Sequence, residues 1–252
     1  DLGDQVRRAA ELLVGALSRA DRRHGRQLLA DVPGRQVYEA AVTVLMRIVF
    51  LLTAEERGLL PANNAVYRDD YAIGTLRDRL AETLRTGRAS AQRRSHAWHR
   101  LLALSRAVHA GVGHDQLRLP GYGGRLFDPD RFPFLEGRLP DGNRIDADLV
   151  DDHTVYEILS AIQVVDGRPI AFRALEVEQI GHVYESLLDH SAVTADNPVV
   201  GLVGATRGLE PEVALDELEA ARLAGDATLL EVLEEHTGKK QKWLAERLAN
   251  PL

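Results

Sequence analysis

His96 and His99 stand three residues apart in a stretch of helical periodicity, so both imidazoles can face one metal ion. Neither a cysteine nor an HExxH glutamate accompanies them, so exposed or interface histidines beside Trp98 are the competing reading. Asp141, Asp146, Asp148, Asp151 and Asp152 form an acidic run whose spacing does not fit a calcium loop, so turn and capping roles are expected of them. The three lysines exclude one nuclease chemistry outright. A PD-(D/E)xK site needs a carboxylate two residues before a lysine, and Lys239, Lys240 and Lys242 have Thr237, Gly238 and Lys240 at that offset. Gly238-Lys239-Lys240 does not complete a phosphate-binding G-K-[ST] loop. Gly111-Val112-Gly113 and Gly201-Leu202-Val203-Gly204 lack the third glycine of a dinucleotide fingerprint. No serine sits in a G-x-S-x-G elbow. The residues show no active site.

Charge is the other source of chemistry. A net charge of −7 argues against a wholly basic nucleic-acid binder, but the charge is unevenly placed. Arg77, Arg79, Arg85, Arg88, Arg93, Arg94, Arg100 and Arg106 face only Asp78 and Glu82 within residues 77–106. Residues 207–235 hold Glu210, Glu212, Asp216, Glu217, Glu219, Asp226, Glu231, Glu234 and Glu235 against Arg207 and Arg222. The basic segment suits a phosphate backbone. Solvated faces, or attraction between the two segments, explain the same pattern.

The 252-residue chain, 45% hydrophobic, has enough apolar sequence for one large or two small domains. It contains no cysteine, which removes disulfides and thiolate metal sites and fits a cytoplasmic protein. Asp1 in place of Met reads as an excised piece of a longer protein.

The expected fold is mainly α, a multi-helix domain around a central buried helix at about 36–58. Val37, Ala41, Val44, Leu45, Ile48, Leu51 and Leu52 recur there at helical spacing, while Val42, Val49 and Phe50 add apolar surface on other sides. Glu39 and Arg47 interrupt the run and argue against a membrane span. Gly58 and Pro61 mark its end. Further helices are expected at 2–30, 71–86, 92–110, 153–165 and 175–190, with Gly181 marking the close approach of another element. Three short ones follow at about 211–224, 226–236 and 238–249, the last capped by Thr237. Residues 111–145 are dense in glycine and proline and predict a long irregular loop or small hairpin, pinned by Tyr122, Phe127, Phe132 and Phe134.

Three stretches in order carry a resemblance: RIVFLLTAEERGLLP with Tyr67 and Tyr71 after it; AWHRLLALSRAVHAGV with LPGYGGRLFDPDRFPFLEG; and LEVEQIGHVYESLLDH. They resemble the helical region ahead of the catalytic domain in large adenine-specific DNA methyltransferases, a group that includes type IIG restriction–modification enzymes and PglX-like phage-exclusion methyltransferases. The resemblance covers roughly residues 36–252, and GLVGATRGLEPEVALDELEAARL is similar to the connector toward the methylase. In that family an S-adenosylmethionine loop and an NPPY-type motif follow. Here Asn197-Pro198 continues as Val199-Val200, with no aromatic to stack a flipped adenine.

The resemblance therefore implies a helical spacer at 1–190 and a connector at 191–252, neither methylating nor cleaving alone. It implies no cofactor in this chain, S-adenosylmethionine in the parent protein, and as partners double-stranded DNA and the parent's methyltransferase domain. Arg88, Arg93, Arg94 and Arg100 are the candidate phosphate contacts. Tyr122 and Arg125 are the candidates on the glycine-rich loop, for which a turn pinned by Phe127 is the competing explanation. The alternative function is a protein-interaction module of a phage-defence complex that uses the acidic C-terminal helices and does not touch DNA.

Overall fold

A computed structural model describes residues 2–91, 94–146, 148–165, 167–175, 192–193, 197–202 and 211–249, with single positions 178, 181, 184, 185, 187 and 195. The chain divides into two compact units, Asp1–Ala192 and Val193–Leu252.

The first unit is built on helix α2 (Gly34–Glu56). Fourteen of its residues are buried, from Val37 to Ala54, and they lie on every side of the helix. By length and composition α2 could cross a membrane, but its apolar surface is covered by its own chain. Thr43 and Thr53 bond back to the carbonyls of Glu39 and Val49, so neither hydroxyl is stranded among the apolar side chains. Phe50 departs from the expectation: it is 39% exposed and meets Phe127 edge-on.

Helix α1 (Leu2–Arg23) lays Val6, Ala10, Leu13 and Leu17 against α2 and against α6 (Asp152–Gln163). It ends seven residues before the sequence predicts. Gly25 and Arg26 both take positive φ, and the Asp21 carboxylate accepts the Leu29 N–H at 2.9 Å, which fixes a turn instead of another helical coil. Helix α3 (Leu76–Ala91) starts and ends later than expected and is interrupted at Gly87. A π-helical segment, Tyr67–Tyr71, precedes it, and residues 72–75 between the two form no helix. Helix α4 (His96–Ala110) also begins late. Its first turn is capped from another helix: Asp152 Oδ1 accepts the Ala97 N–H at 2.8 Å, and the Asp152 N–H donates to the Arg94 carbonyl. Asp151 caps α6 by accepting the Thr154 N–H. Two members of the acidic run thus serve helix termini.

Residues 111–145 fold as a sequence of small pieces. Strands β1 (Val112–His114) and β2 (Leu117–Leu119) form an antiparallel hairpin, followed by the single-turn helix α5 (Gly124–Phe127) and a 3-10 turn at Pro133–Glu136. Gly111 and Gly121 allow the hairpin to close on α4. A Cβ at Gly111 would stand 2.8 Å from the Gly121 nitrogen, and one at Gly121 would stand 2.9 Å from Ala110. Beyond α6, two-residue strands β3 (Val164–Val165) and β4 (Arg168–Pro169) pair, and a 3-10 turn (Phe172–Ala174) packs on α2. The helix expected at 175–190 falls mostly outside the described residues, though Leu187 is buried and Tyr184 half-buried. Gly181 is exposed, and among the described residues nothing lies within 4 Å of where a Cβ would stand.

The second unit opens with strands β5 (Val199–Gly201) and β6 (Glu212–Ala214), in stretches expected to be loop and helix. Helices α7 (Leu215–Ala224), α8 (Asp226–Thr237) and α9 (Gln241–Ala249) follow. Thr237 is not the cap of α9. Its hydroxyl donates to the Leu233 carbonyl, inside α8, and accepts from the Lys239 N–H.

Candidate nucleic-acid interface

The sequence-predicted phosphate contacts have unequal fates. Arg93 and the Arg88 side chain lie outside the described residues, although residue 88 itself is in α3. Arg94 is exposed just ahead of α4. Arg100 is half-buried one turn into α4, where its guanidinium reaches the Arg68 carbonyl at 3.4 Å while its Nε has no partner. Burial, and then Arg79, lower its pKa from the ordinary value. It is part of the packing between α4 and the Tyr67–Tyr71 turn, not a free arm.

Much of the remaining basic segment is engaged at home. Arg77 meets Asp78 at 2.7 Å and Arg85 meets Glu82 at 2.6 Å. Arg79 donates to the Asp69 carbonyl at 2.8 Å. Arg106 makes two parallel bonds to the buried Glu136 carboxylate, at 2.6 and 2.5 Å, and this partnership raises its pKa. These arginines find their carboxylates within their own unit.

Tyr122 and Arg125 stand elsewhere. The Tyr122 N–H donates to the Val108 carbonyl and the Gly123 N–H to that of His109, so this loop closes the C-terminal end of α4. Arg94 lies at the other end, roughly 20 Å away along a helix that rises about 1.5 Å per residue. Among the described candidates, Arg94 and Tyr122 therefore lie at opposite ends of α4. Tyr122 is 51% exposed, with its hydroxyl donating to the Leu59 carbonyl at 3.2 Å. Arg125 is exposed and makes no ion pair among the described residues. Leu59, joined to Tyr122 by that bond, is 59% exposed, so the two give this part of the unit an exposed apolar surface.

Sequence reasoning missed the polar frame beneath that surface. Arg47, deep in α2, donates from Nε to the Leu126 carbonyl at 2.5 Å and from a terminal nitrogen to the Asp128 carbonyl at 3.0 Å. Burial pushes its guanidinium down to about 10, still charged at neutral pH. Arg131 pairs with Glu39 at 2.5 Å and lies over the Phe132 ring. Glu55 accepts three bonds, from the Tyr67 hydroxyl at 2.8 Å and from the Ile73 and Gly74 N–H groups at 2.9 and 2.8 Å. The signal was present as charges inside an apolar helical run, which must find partners once buried.

His96 and His99 gain no third ligand: among the described residues no group of three His, Asp or Glu side chains is arranged for a metal. His99 instead lies 3.6 Å from Asp148. No family profile, curated protein or solved structure matches the chain.

Proposed function

We propose that this chain is a non-catalytic helical part of an adenine-specific, S-adenosylmethionine-dependent DNA methyltransferase of the cytoplasm, serving restriction–modification or phage defence. Its task is mechanical: to hold DNA and the parent's catalytic domain in register. The cofactor belongs to that parent domain.

The observation that carries the reading is the joining of the first two resembling stretches. Arg47 and Glu55 come from the first, and Leu126, Asp128, Arg106 and Glu136 from the second. Arg47 binds carbonyls of the second stretch, and Glu55 ties the Tyr67 hydroxyl that follows the first. Residues chosen for likeness to a spacer thus act as parts of one internal frame, which is what a rigid spacer requires. Tyr122 and Arg125 project from that frame and supply a polar and a cationic contact for a phosphate backbone, which positions a duplex without reading its sequence.

The test is association of the whole chain with a mixed-sequence duplex at low and moderate salt. Beside it stand an Arg88/Arg93/Arg94→Ala variant and a Tyr122→Ala/Arg125→Ala variant. Salt-dependent binding weakened by either set supports the proposal; a chain that ignores duplex at low salt overturns it.

A second reading has its own observation. Leu59 and Tyr122, joined by the bond from the Tyr122 hydroxyl to the Leu59 carbonyl, are both exposed, and exposed apolar surface also marks protein-docking sites. A protein-interaction module of a defence complex uses such a surface with no DNA contact; the chain would then ignore duplex at low salt, and Leu59→Asp would abolish its binding to the protein partner.

A further inference from the structure

We propose that helix α9 of the second unit and the residues just ahead of it present a separate binding surface for the phosphate backbone of duplex DNA, formed by Lys239, Lys240, Lys242 and Arg247 with Trp243. All three lysines of the chain fall within these four residues, 239–242. From Gly238 to Ala249 four cations stand against the single carboxylate Glu246. From Leu215 to Thr237, which spans α7 and α8, seven carboxylates stand against the single cation Arg222.

This contrast would be trivial if the lysines served to neutralise their neighbours. They do not. Among the described residues none of the three lysines pairs with a carboxylate, although α9 packs against the acidic α8. Arg222 takes Asp226 and His236 takes Glu217. The helix is seated by Leu244, buried with Leu229, Leu233 and Ala221. That seating leaves Trp243 outward and 37% exposed. Lys239 Nζ and the Arg247 guanidinium lie over its ring, 6.0 and 5.4 Å from the centroid. Each such contact weakly holds a flexible cation in place at an exposed site. The indole thus gathers two cations, Lys239 from just ahead of α9 and Arg247 from its last turn, and Lys240 and Lys242 are exposed in the same short segment.

Charge complementarity selects the occupant. An acidic protein segment is already at hand in α7 and α8, and the lysines leave it. Duplex DNA presents charge far more densely, one phosphate per roughly 1.7 Å of axis, and releases counterions when bound. The surface stands independently of the DNA-positioning role of Arg94, Tyr122 and Arg125, which belong to the other unit.

The experiment uses the whole chain and its two tryptophans. Trp98 is 1% exposed, so acrylamide quenching reports on Trp243. Adding mixed-sequence duplex shields Trp243 from quenching, and a Lys239→Gln/Lys240→Gln/Lys242→Gln variant, its fold checked by circular dichroism, loses that protection. The dependence of log K on log salt becomes shallower by about 3 in that variant, at roughly 0.9 per phosphate contact. Arg88/Arg93/Arg94→Ala and Tyr122→Ala/Arg125→Ala leave the shielding of Trp243 in place. The inference is overturned if duplex binds without shielding Trp243, if the lysine variant keeps the parental salt slope, or if polyglutamate shields Trp243 and duplex does not. Loss of binding in the arginine or tyrosine variants alone overturns it too, and leaves the proposed function standing.

Discussion

Glu55 sits at the end of a largely apolar helix, and its three accepted hydrogen bonds decide how the chain leaves that helix. The two backbone donors, Ile73 and Gly74, fix the approach to α3, and Tyr67 is buried over the same carboxylate. Bonds to a charged acceptor contribute about 1.5–3 kcal/mol each, but Gln keeps one acceptor oxygen. Glu55→Gln is therefore expected to lower unfolding free energy by about 2 kcal/mol, measured by urea denaturation. Tyr67 makes the same cluster sensitive to alkali. Burial, and then the Glu55 charge, raise its phenol far above the ordinary value. The unfolded phenol ionises near pH 10 while the folded one stays protonated, so stability that is complete below pH 10 is lost as pH rises beyond it. Relative to Tyr67→Phe, the parent chain should lose up to about 1.4 kcal/mol per pH unit above pH 10, seen in denaturation series run on both proteins. An equal slope in the two would remove Tyr67 from the account.

Between elements, arginines join what periodicity cannot. The α2 helix was legible because apolar side chains recur around it, and the ragged composition of residues 111–145 announced an irregular excursion. What holds that excursion was not legible. Arg47 reaches residues 79 and 81 positions away, and Arg131 reaches Glu39 across 92, separations that no local spacing encodes. The same blindness affected the candidate site. Arg100 lies in a basic run and looked available, but its place on α4 turns it toward the Tyr67–Tyr71 turn. Tyr122 and Arg125 are exposed, as residues on a glycine-rich turn are expected to be. The late start of α4 was hidden because its cap, Asp152, comes from α6. Element joints of this kind should be costly to break one side at a time. Glu136 is buried and takes both bonds from Arg106, whose side chain is half exposed. Glu136→Gln is expected to cost about 2 kcal/mol, below the 3–5 kcal/mol of a fully buried pair, because water can reach Arg106 when its partner is gone. A double-mutant cycle with Arg106→Gln measures the coupling, and a coupling near zero would reduce the pair to a surface contact.

At the scale of the molecule the two units differ in how much core they own. The first gathers dozens of buried apolar residues around α2, among them Trp98, Tyr67, Leu45 and Leu104. Among the described residues the second closes on Ala221, Leu229, Leu233 and Leu244, with Leu218, Leu230, Val232 and Leu202 half-covered beside them and Val213 buried apart from that cluster, while Leu223 stands 90% exposed. A small apolar core leaves little free energy above the conformational entropy of its own residues. Local opening should therefore be easier in the second unit, and native-state hydrogen exchange is expected to show amides of α7, α8 and α9 exchanging well before those of α2 and α4. Leu244→Ala sharpens the expectation. Removing a buried Leu side chain costs about 2–5 kcal/mol, and the lower end applies where a small, partly open core can relax around the gap. In a unit this thinly cored that is enough to release α9 from its seat. Exchange across residues 215–249 should then rise to the limit of an open chain, while α2 and α4 keep their protection. Trp243 should lose its cations along with the helical geometry that gathers them, and its fluorescence should shift toward that of a free indole. If Leu244→Ala instead slowed or left unchanged the exchange of α8 and α9, the four residues would not be the core that holds this unit, and the surface of α9 would owe its arrangement to something other than the seating of Leu244.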